Sequence, residues 1–343
     1  MIMDNQEIKR FIRKVLLISI PFWIIMAIYI ALDPFKVIWH YDQYFNNNET
    51  HVALNIDYVS TENFVQLNAQ QQYNAFIFGN SRSQYWKIAD WRQHINSEAR
   101  CYHYYGNGES LDRLYHNIRF IHQQGNDIDY AILVVDAELL SQTESNPGHL
   151  FCTPPRVKGY QNLIKFHAAN FVAFLNPTFI IANVDYRLNH QLRNYMMEKF
   201  LFEQPIVYDA LSNEITDKIY DEAIENGTYY TAERMKRFQD RQFPDSVSPA
   251  VLKAENVRML REIAGIFQEH HTAFKIVISP LYDQIHLNSQ DLHQLQTIFG
   301  KDNIFDFSGK NEITSDYRHY YEESHYLPEI ARKLMEEIYQ IKN

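Results

Sequence analysis

The stretch FIFGNSRSQ, Phe76 to Gln84, runs from apolar residues into a glycine and then a serine, Ser81, where a turn would expose a hydroxyl. A serine hydroxyl attacks an acyl carbon only when a base takes its proton, and that base is usually a histidine held by a carboxylate. Such a pair stands 244 residues further on: in YYEESHYLPEI, Glu322 lies three residues before His325, just ahead of Pro328. The offset places acid and imidazole on one side of a turn, with the acid on Nδ1–H and Nε2 left free. Each signal alone is weak, because 15 histidines and 42 acidic residues produce E-x-x-H pairs by chance. Together, a serine after the first sheet strand and an acid–histidine pair before the last helix point to covalent acyl chemistry.

These residues need strands and helices to position them. Tyr73 to Phe78 (YNAFIF) and Tyr130 to Val135 (YAILVV) are short, nearly continuous apolar runs, the pattern of strands covered on both faces. Lys275 to Leu281 and Asn303 to Phe307 are further strand candidates. Helical spacing marks Gln84–Asn96, Ser110–Gln124, Pro249–His270, Ser289–Phe299 and Leu327–Ile341. The alternation predicts an α/β fold with a mainly parallel sheet between helices, whose sites form at the carboxyl ends of the strands. Ser81 and Asp136 each follow such an end. Residues 146–249 break the alternation and read as a mostly helical insertion, rich in aromatics such as Phe166, Phe171, Phe174 and Tyr186. Most of these are expected in the core, with a minority left for a lid or a sugar-stacking surface.

The layout resembles the SGNH/GDSL hydrolase superfamily, a three-layer α/β/α fold. Its first block appears here as Gly79-Asn80-Ser81-Arg82-Ser83 and its last as Glu322-Glu323-Ser324-His325. The resemblance implies Ser81 as nucleophile, His325 as general base and Glu322 as its orienting acid. It covers about 73–140 and 250–343 and is nearest to membrane-anchored members, some of which add or move acyl groups on cell-envelope polymers. It also implies an oxyanion hole built from the nucleophile's N–H, a glycine of a second block and an asparagine of a third. Tyr105-Gly106-Asn107-Gly108 fits the second block, with Gly106 or Gly108 as donor, and reads equally well as a plain turn. The third block carries Asp136 in place of asparagine, and an ionised Asp repels an oxyanion. Either Asp136 is protonated, or Asn107 serves, or the hole is weak. Arg82 either binds an anionic group of the substrate or pairs with Asp136, the pairing being favoured. Asp306 and Ser308 read first as a capping loop and second as part of the rim.

Val15 to Leu32 is an 18-residue uncharged run, preceded by Lys9, Arg10, Arg13 and Lys14 and closed by Asp33-Pro34. It is long enough to span a bilayer, and its apolar core is longer than that of a cleavable signal. The basic flank places residues 1–14 in the cytoplasm and the domain outside, periplasmic if the cell is bacterial with two membranes. Residues 33–72 read as a stalk and 73–343 as the domain. A net charge of −10 argues against nucleic acid as partner. Cys101 and Cys152 are too few for a disulfide framework, either bridged once or free. No metal or cofactor motif is present, and His270-His271 reads as a helix end. The expectation is a serine esterase or O-acyltransferase acting on acyl esters of envelope glycans, with a multi-pass acyltransferase as a candidate partner. The alternative is a catalytically degenerate accessory protein of the same fold that partners an acyltransferase or polysaccharide exporter.

Overall fold

A computed structural model describes residues 5–197, 202–238, 241 and 244–340. The helices that matter below are α1 (Asn5–Leu32), α2 (Ile56–Gln71), α3 (Leu111–Gln123), α4 (Leu163–Phe174), α5 (Pro177–Asn189), α6 (Ala254–Glu269), α7 (Ser289–Phe299) and α8 (Pro328–Gln340). The central strands are β1 (Ala75–Gly79), β2 (Cys101–Tyr105), β3 (Tyr130–Val135), β4 (Ala273–Ile278) and β5 (Ile304–Asp306). They form one five-stranded parallel sheet in the order β2-β1-β3-β4-β5. The order reverses at β1, so the loops after β1 and β3 leave the sheet side by side at its carboxyl edge, where a crevice opens.

Side chains alternate between two cores, as a pleated strand requires. Phe76 and Phe78 of β1 and Ala131 and Leu133 of β3 face a core completed by α2, α3, α6 and α7. Ala75, Ile77, Ile132 and Val134 face another that Trp86, Trp91 and α8 complete. Expected strands and helices match these elements within a few residues, except that Gln84–Asn96 is a 3₁₀ turn, Ser81–Tyr85, followed by the short helix Ile88–Trp91. Ile341, the expected end of α8, lies outside the described residues.

β2 was not anticipated. CYHYY is too polar to read as a buried strand, yet all five residues are buried. Two of its tyrosines have particular partners: Tyr102 donates to the Ser60 carbonyl at 2.7 Å, and the Tyr104 hydroxyl meets Thr61 Oγ1 at 2.6 Å. Both partners lie on α2, inside the stretch expected to be a stalk. Residues 33–72 are therefore folded into the domain. Asp33 closes α1 by accepting from the N–H groups of Val37, Ile38 and Trp39, at 2.9, 2.9 and 3.0 Å. Helix α1 is long and apolar enough to cross a membrane, with a mean hydropathy of 2.6 over its most apolar 18 residues. Among the described residues it runs from Asn5, ten residues before the apolar run. Cys101 and Cys152 are buried free thiols.

A fully buried charge cluster holds the β2–α3 loop. Arg113 Nε donates to Glu109 at 2.8 Å and lies 4.0 Å from Asp57, while its Nη1 and Nη2 donate to the carbonyls of Phe151 and Asn107. Burial pushes both carboxyls upward in pKa, and the guanidinium opposes it. Gly106 packs here, where a Cβ would lie 3.0 Å from Asp57 Cβ and 3.3 Å from Arg113 Nη2. Arg113→Ala leaves two acids without their cation. Removing one partner of a buried ion pair costs about 3–5 kcal/mol, so the detergent-solubilised chain should show a clearly lowered denaturant midpoint, whereas an unchanged midpoint would contradict this role.

Candidate active site

The nucleophile turn follows from a close approach that only glycine permits. A Cβ at Gly79 would sit 2.6 Å from the Val134 carbonyl oxygen and 2.9 Å from Ser83 Cβ. Beyond it, Asn80 caps the Ser81–Tyr85 turn by accepting from the Arg82 N–H at 3.0 Å. The Asn80 carbonyl accepts from the Ser83 N–H at 2.9 Å and from Ser83 Oγ at 2.8 Å. Ser83 in turn accepts from His103 Nε2 of β2 at 3.1 Å. Burial, reinforced by Lys87, holds the His103 pKa far below its ordinary value. His103 is thus a neutral prop under the turn, with no path to substrate. Ser81 is left partly exposed at the rim.

The base arrives on a different element from the one expected. Tyr320–Glu322 and His325–Tyr326 form a tight antiparallel pair in which Glu322 and His325 are cross-strand neighbours. Ser81 Oγ lies 2.7 Å from His325 Nε2, and His325 Nδ1 hydrogen-bonds Glu322 Oε1. With Nδ1–H on the carboxylate, Nε2 is the acceptor for the serine proton. Burial pushes the Glu322 pKa up, but the hydrogen bond and charge of His325, the Ser324 N–H at 3.2 Å and Arg237 outweigh it. The carboxyl therefore stays below the usual glutamate range. The three residues singled out by sequence are in hydrogen-bonding sequence, which is the geometry of an activated serine. In comparisons with known proteins, no family model and no curated protein matches this chain.

Asp136 stands where the resemblance calls for an oxyanion donor, and it is wholly engaged as an acceptor. Its buried carboxylate takes Arg82 Nη1 at 2.7 Å, Asn80 Nδ2 at 2.7 Å and the Leu139 N–H at 2.9 Å. Arg82 Nε then donates to the Ser324 carbonyl at 3.2 Å. One carboxylate thus ties the nucleophile turn, through Arg82, to the loop that carries His325. Arg82 has the structural partner favoured from sequence and is not free to hold an anionic substrate group. Burial pushes its pKa down, and Asp136 and Glu138 more than offset this.

The other candidate donors separate. The Gly106 N–H is already given to the Gly79 carbonyl at 3.3 Å, and Gly108 has a left-handed φ of 55° that serves its turn. The Asn107 side-chain amide and the Ser81 N–H donate to no other group among the described residues. Asn107 also lines a cleft of about 190 Å³ with Gln84, Tyr85, Tyr220, Asp221 and Tyr321. The Tyr85 ring lies 5.8 Å from the His325 ring and 5.2 Å from that of Tyr321, placing the cleft beside the base. Tyr220 and Asp221 come from the insertion, whose contribution here was not legible in sequence. Ser308 Oγ donates to Asp306 at 2.6 Å and accepts from the Leu287 N–H at 2.8 Å, and Ser308 lines a second cavity together with Arg82 and Asp136.

The lowered Glu322 pKa fixes the sign of a pH effect. An acid held below its unfolded value contributes stability above the ordinary glutamate range and loses it as pH falls through the folded value. Unfolding free energies of the native chain and of Glu322→Gln should therefore differ most above the ordinary glutamate value of about 4.3 and converge as pH falls through the lower folded value. Parallel curves would show that Glu322 has the same pKa folded and unfolded.

Proposed function

We propose that this chain is a membrane-anchored, extracytoplasmic serine esterase or O-acyltransferase of the SGNH/GDSL type. The observation that carries the reading is the Ser81–His325–Glu322 hydrogen-bonded series at the carboxyl edge of the sheet. Helices packed on both faces of that sheet agree with the three-layer arrangement of the superfamily. The basic residues before the apolar run of α1 orient the amino terminus to the cytoplasm and the catalytic face outward. In a bacterium with two membranes, that face is periplasmic.

In the reaction, His325 Nε2 takes the Ser81 proton as Oγ attacks the ester carbonyl. The oxyanion is met by the Ser81 N–H and the Asn107 amide. Collapse of the tetrahedral intermediate passes the proton from His325 to the leaving alkoxide and leaves an acyl-serine. Water or a sugar hydroxyl then gives its proton to His325 and attacks the acyl carbon, and as the Oγ–acyl bond breaks His325 returns the proton to Ser81 Oγ. Glu322 holds the imidazole tautomer and stabilises the imidazolium throughout. The cleft is smaller than the about 300–1,000 Å³ of sites for drug-sized ligands. It suits one sugar unit, with Tyr85, Tyr220 and Tyr321 as flat surfaces and Asp221 and Asn107 as hydroxyl partners. The acyl donor would come from a multi-pass acyltransferase in the same membrane or from the glycan's own esters.

Asp136 motivated the accessory, non-catalytic reading. With that carboxylate serving Arg82 and Asn80, the donor role passes to Asn107 and the motive weakens. Hydrolysis of p-nitrophenyl acetate by the detergent-solubilised full chain separates the two. Ser81→Ala should remove the activity, and Asn107→Ala should lower kcat about 10²–10³-fold, the usual effect of deleting one oxyanion donor. Activity that survives in Ser81→Ala would sink the catalytic assignment.

A further inference from the structure

Helices α4 and α5 meet at a 60° bend around Asn176-Pro177. The 19 residues from Phe166 to Val184 contain no Asp, Glu, Lys or Arg, while Lys165 lies on one side and Asp185 and Arg187 on the other. One face of the pair is buried through Phe166, Phe174, Phe179 and Ala182. The opposite face presents Val172, Ile181 and Leu188 at 67, 60 and 76% exposure, with Leu175, Ile180 and Val184 between them. Single exposed apolar residues are ordinary on a protein surface, but a run of them over two adjoining helices is not.

The depth of this face is set by what it packs on. The Phe171 ring contacts Phe22 at 5.9 Å and Tyr29 at 5.3 Å, and Phe174 contacts Tyr29 at 5.2 Å. Phe22 lies ten residues before Leu32, the end of α1, which at about 1.5 Å per residue is about 15 Å along the helix. That is close to the middle of a hydrocarbon layer about 30 Å thick. A helix that spans the bilayer therefore carries Phe171 into the same layer. The junction does not let the two drift apart. Asp33 locks the α1 exit, Trp39 Nε1 donates to the Ile30 carbonyl at 2.7 Å, and Phe35 packs on Phe179 at 5.2 Å.

The bend also meets the demand that hydrocarbon places on backbone groups. Leu175 and Asn176 donate to the carbonyls of Phe171 and Ala173, each at 3.1 Å. Pro177 has no N–H, and Thr178 donates to Asn176 Oδ1 at 2.9 Å.

We propose that α4 and α5, bent by 60° at their junction, form a re-entrant pair inserted beside α1 into the leaflet from which the domain emerges, its exposed apolar face covered by lipid acyl chains. The chain is then held to the membrane at two places, and the crevice at Ser81 keeps a fixed height and tilt above the lipid.

The test places an environment-sensitive fluorophore on cysteines introduced one at a time into the full chain. Val172→Cys and Ile181→Cys probe the bent pair, Ile24→Cys the spanning helix, and Val247→Cys the exposed part of the domain. Cys101 and Cys152 are buried and stay unlabelled. In phosphatidylcholine vesicles carrying nitroxide on the acyl chains, positions 172 and 181 should lose fluorescence as position 24 does and resist aqueous iodide. Position 247 should show the reverse. Quenching of 172 and 181 by iodide would put the bent pair in water and overturn the proposal. Protection from both quenchers would mean that protein covers the face, and absence of lipid quenching at 24 would remove the spanning helix on which the depth depends. Either result also overturns it.

Discussion

The Asp136 carboxylate organises the site. It sits at the end of β3, beside the end of β1, and is buried where only charged or hydrogen-bonded partners make it tolerable. Two of those partners, Asn80 and Arg82, flank Ser81. Arg82 passes the constraint on to the Ser324 carbonyl and so to the neighbouring His325. Ser81 and His325 come from parts of the chain 244 residues apart, and this carboxylate-to-guanidinium-to-carbonyl path is a polar link that joins them besides their own hydrogen bond. Asparagine here could donate to an oxyanion but could not neutralise a buried guanidinium. The aspartate that departs from the resembled pattern holds Asn80 and Arg82 in place.

Much of this was legible beforehand where one residue type had one physical explanation. Gly79 read as a strand end because a side chain there has nowhere to go, and Val134 supplies the obstacle. YAILVV read as a doubly covered strand because nothing in it tolerates water. Glu322-x-x-His325 read as an acid–base pair, although its turn proved to be a β-hairpin, because spacing constrains distance more tightly than it constrains backbone type. What failed to read was burial of polar residues. CYHYY hides three tyrosines and a histidine, and the partners of Tyr102, Tyr104 and His103, which are Ser60, Thr61 and Ser83, are far away in sequence. For the same reason α2 looked like a stalk: Ser60, Thr61 and Asn63 seem to belong at a surface until β2 is laid against them.

The insertion was opaque in a different way. Its aromatics were assigned to the core by composition, and that is right for Phe166 and Phe174, while Phe171 and Tyr186 are only partly buried. Composition cannot tell which face of a helix meets protein and which meets something else. That distinction appeared only when Phe171 was found against Phe22. The same segment supplies Tyr220 and Asp221 to the cleft beside His325, so the exposed apolar face of α4 and α5 and part of the cleft wall come from one stretch of chain.

The central claim is that Ser81 is a nucleophile activated by His325. Peptide mass spectrometry after treating the folded full chain with a fluorophosphonate measures it directly. The expected result is a phosphonyl adduct on Ser81 that disappears in His325→Ala while circular dichroism is unchanged. A folded native chain with no adduct at Ser81, or with equal labelling in His325→Ala, would contradict it.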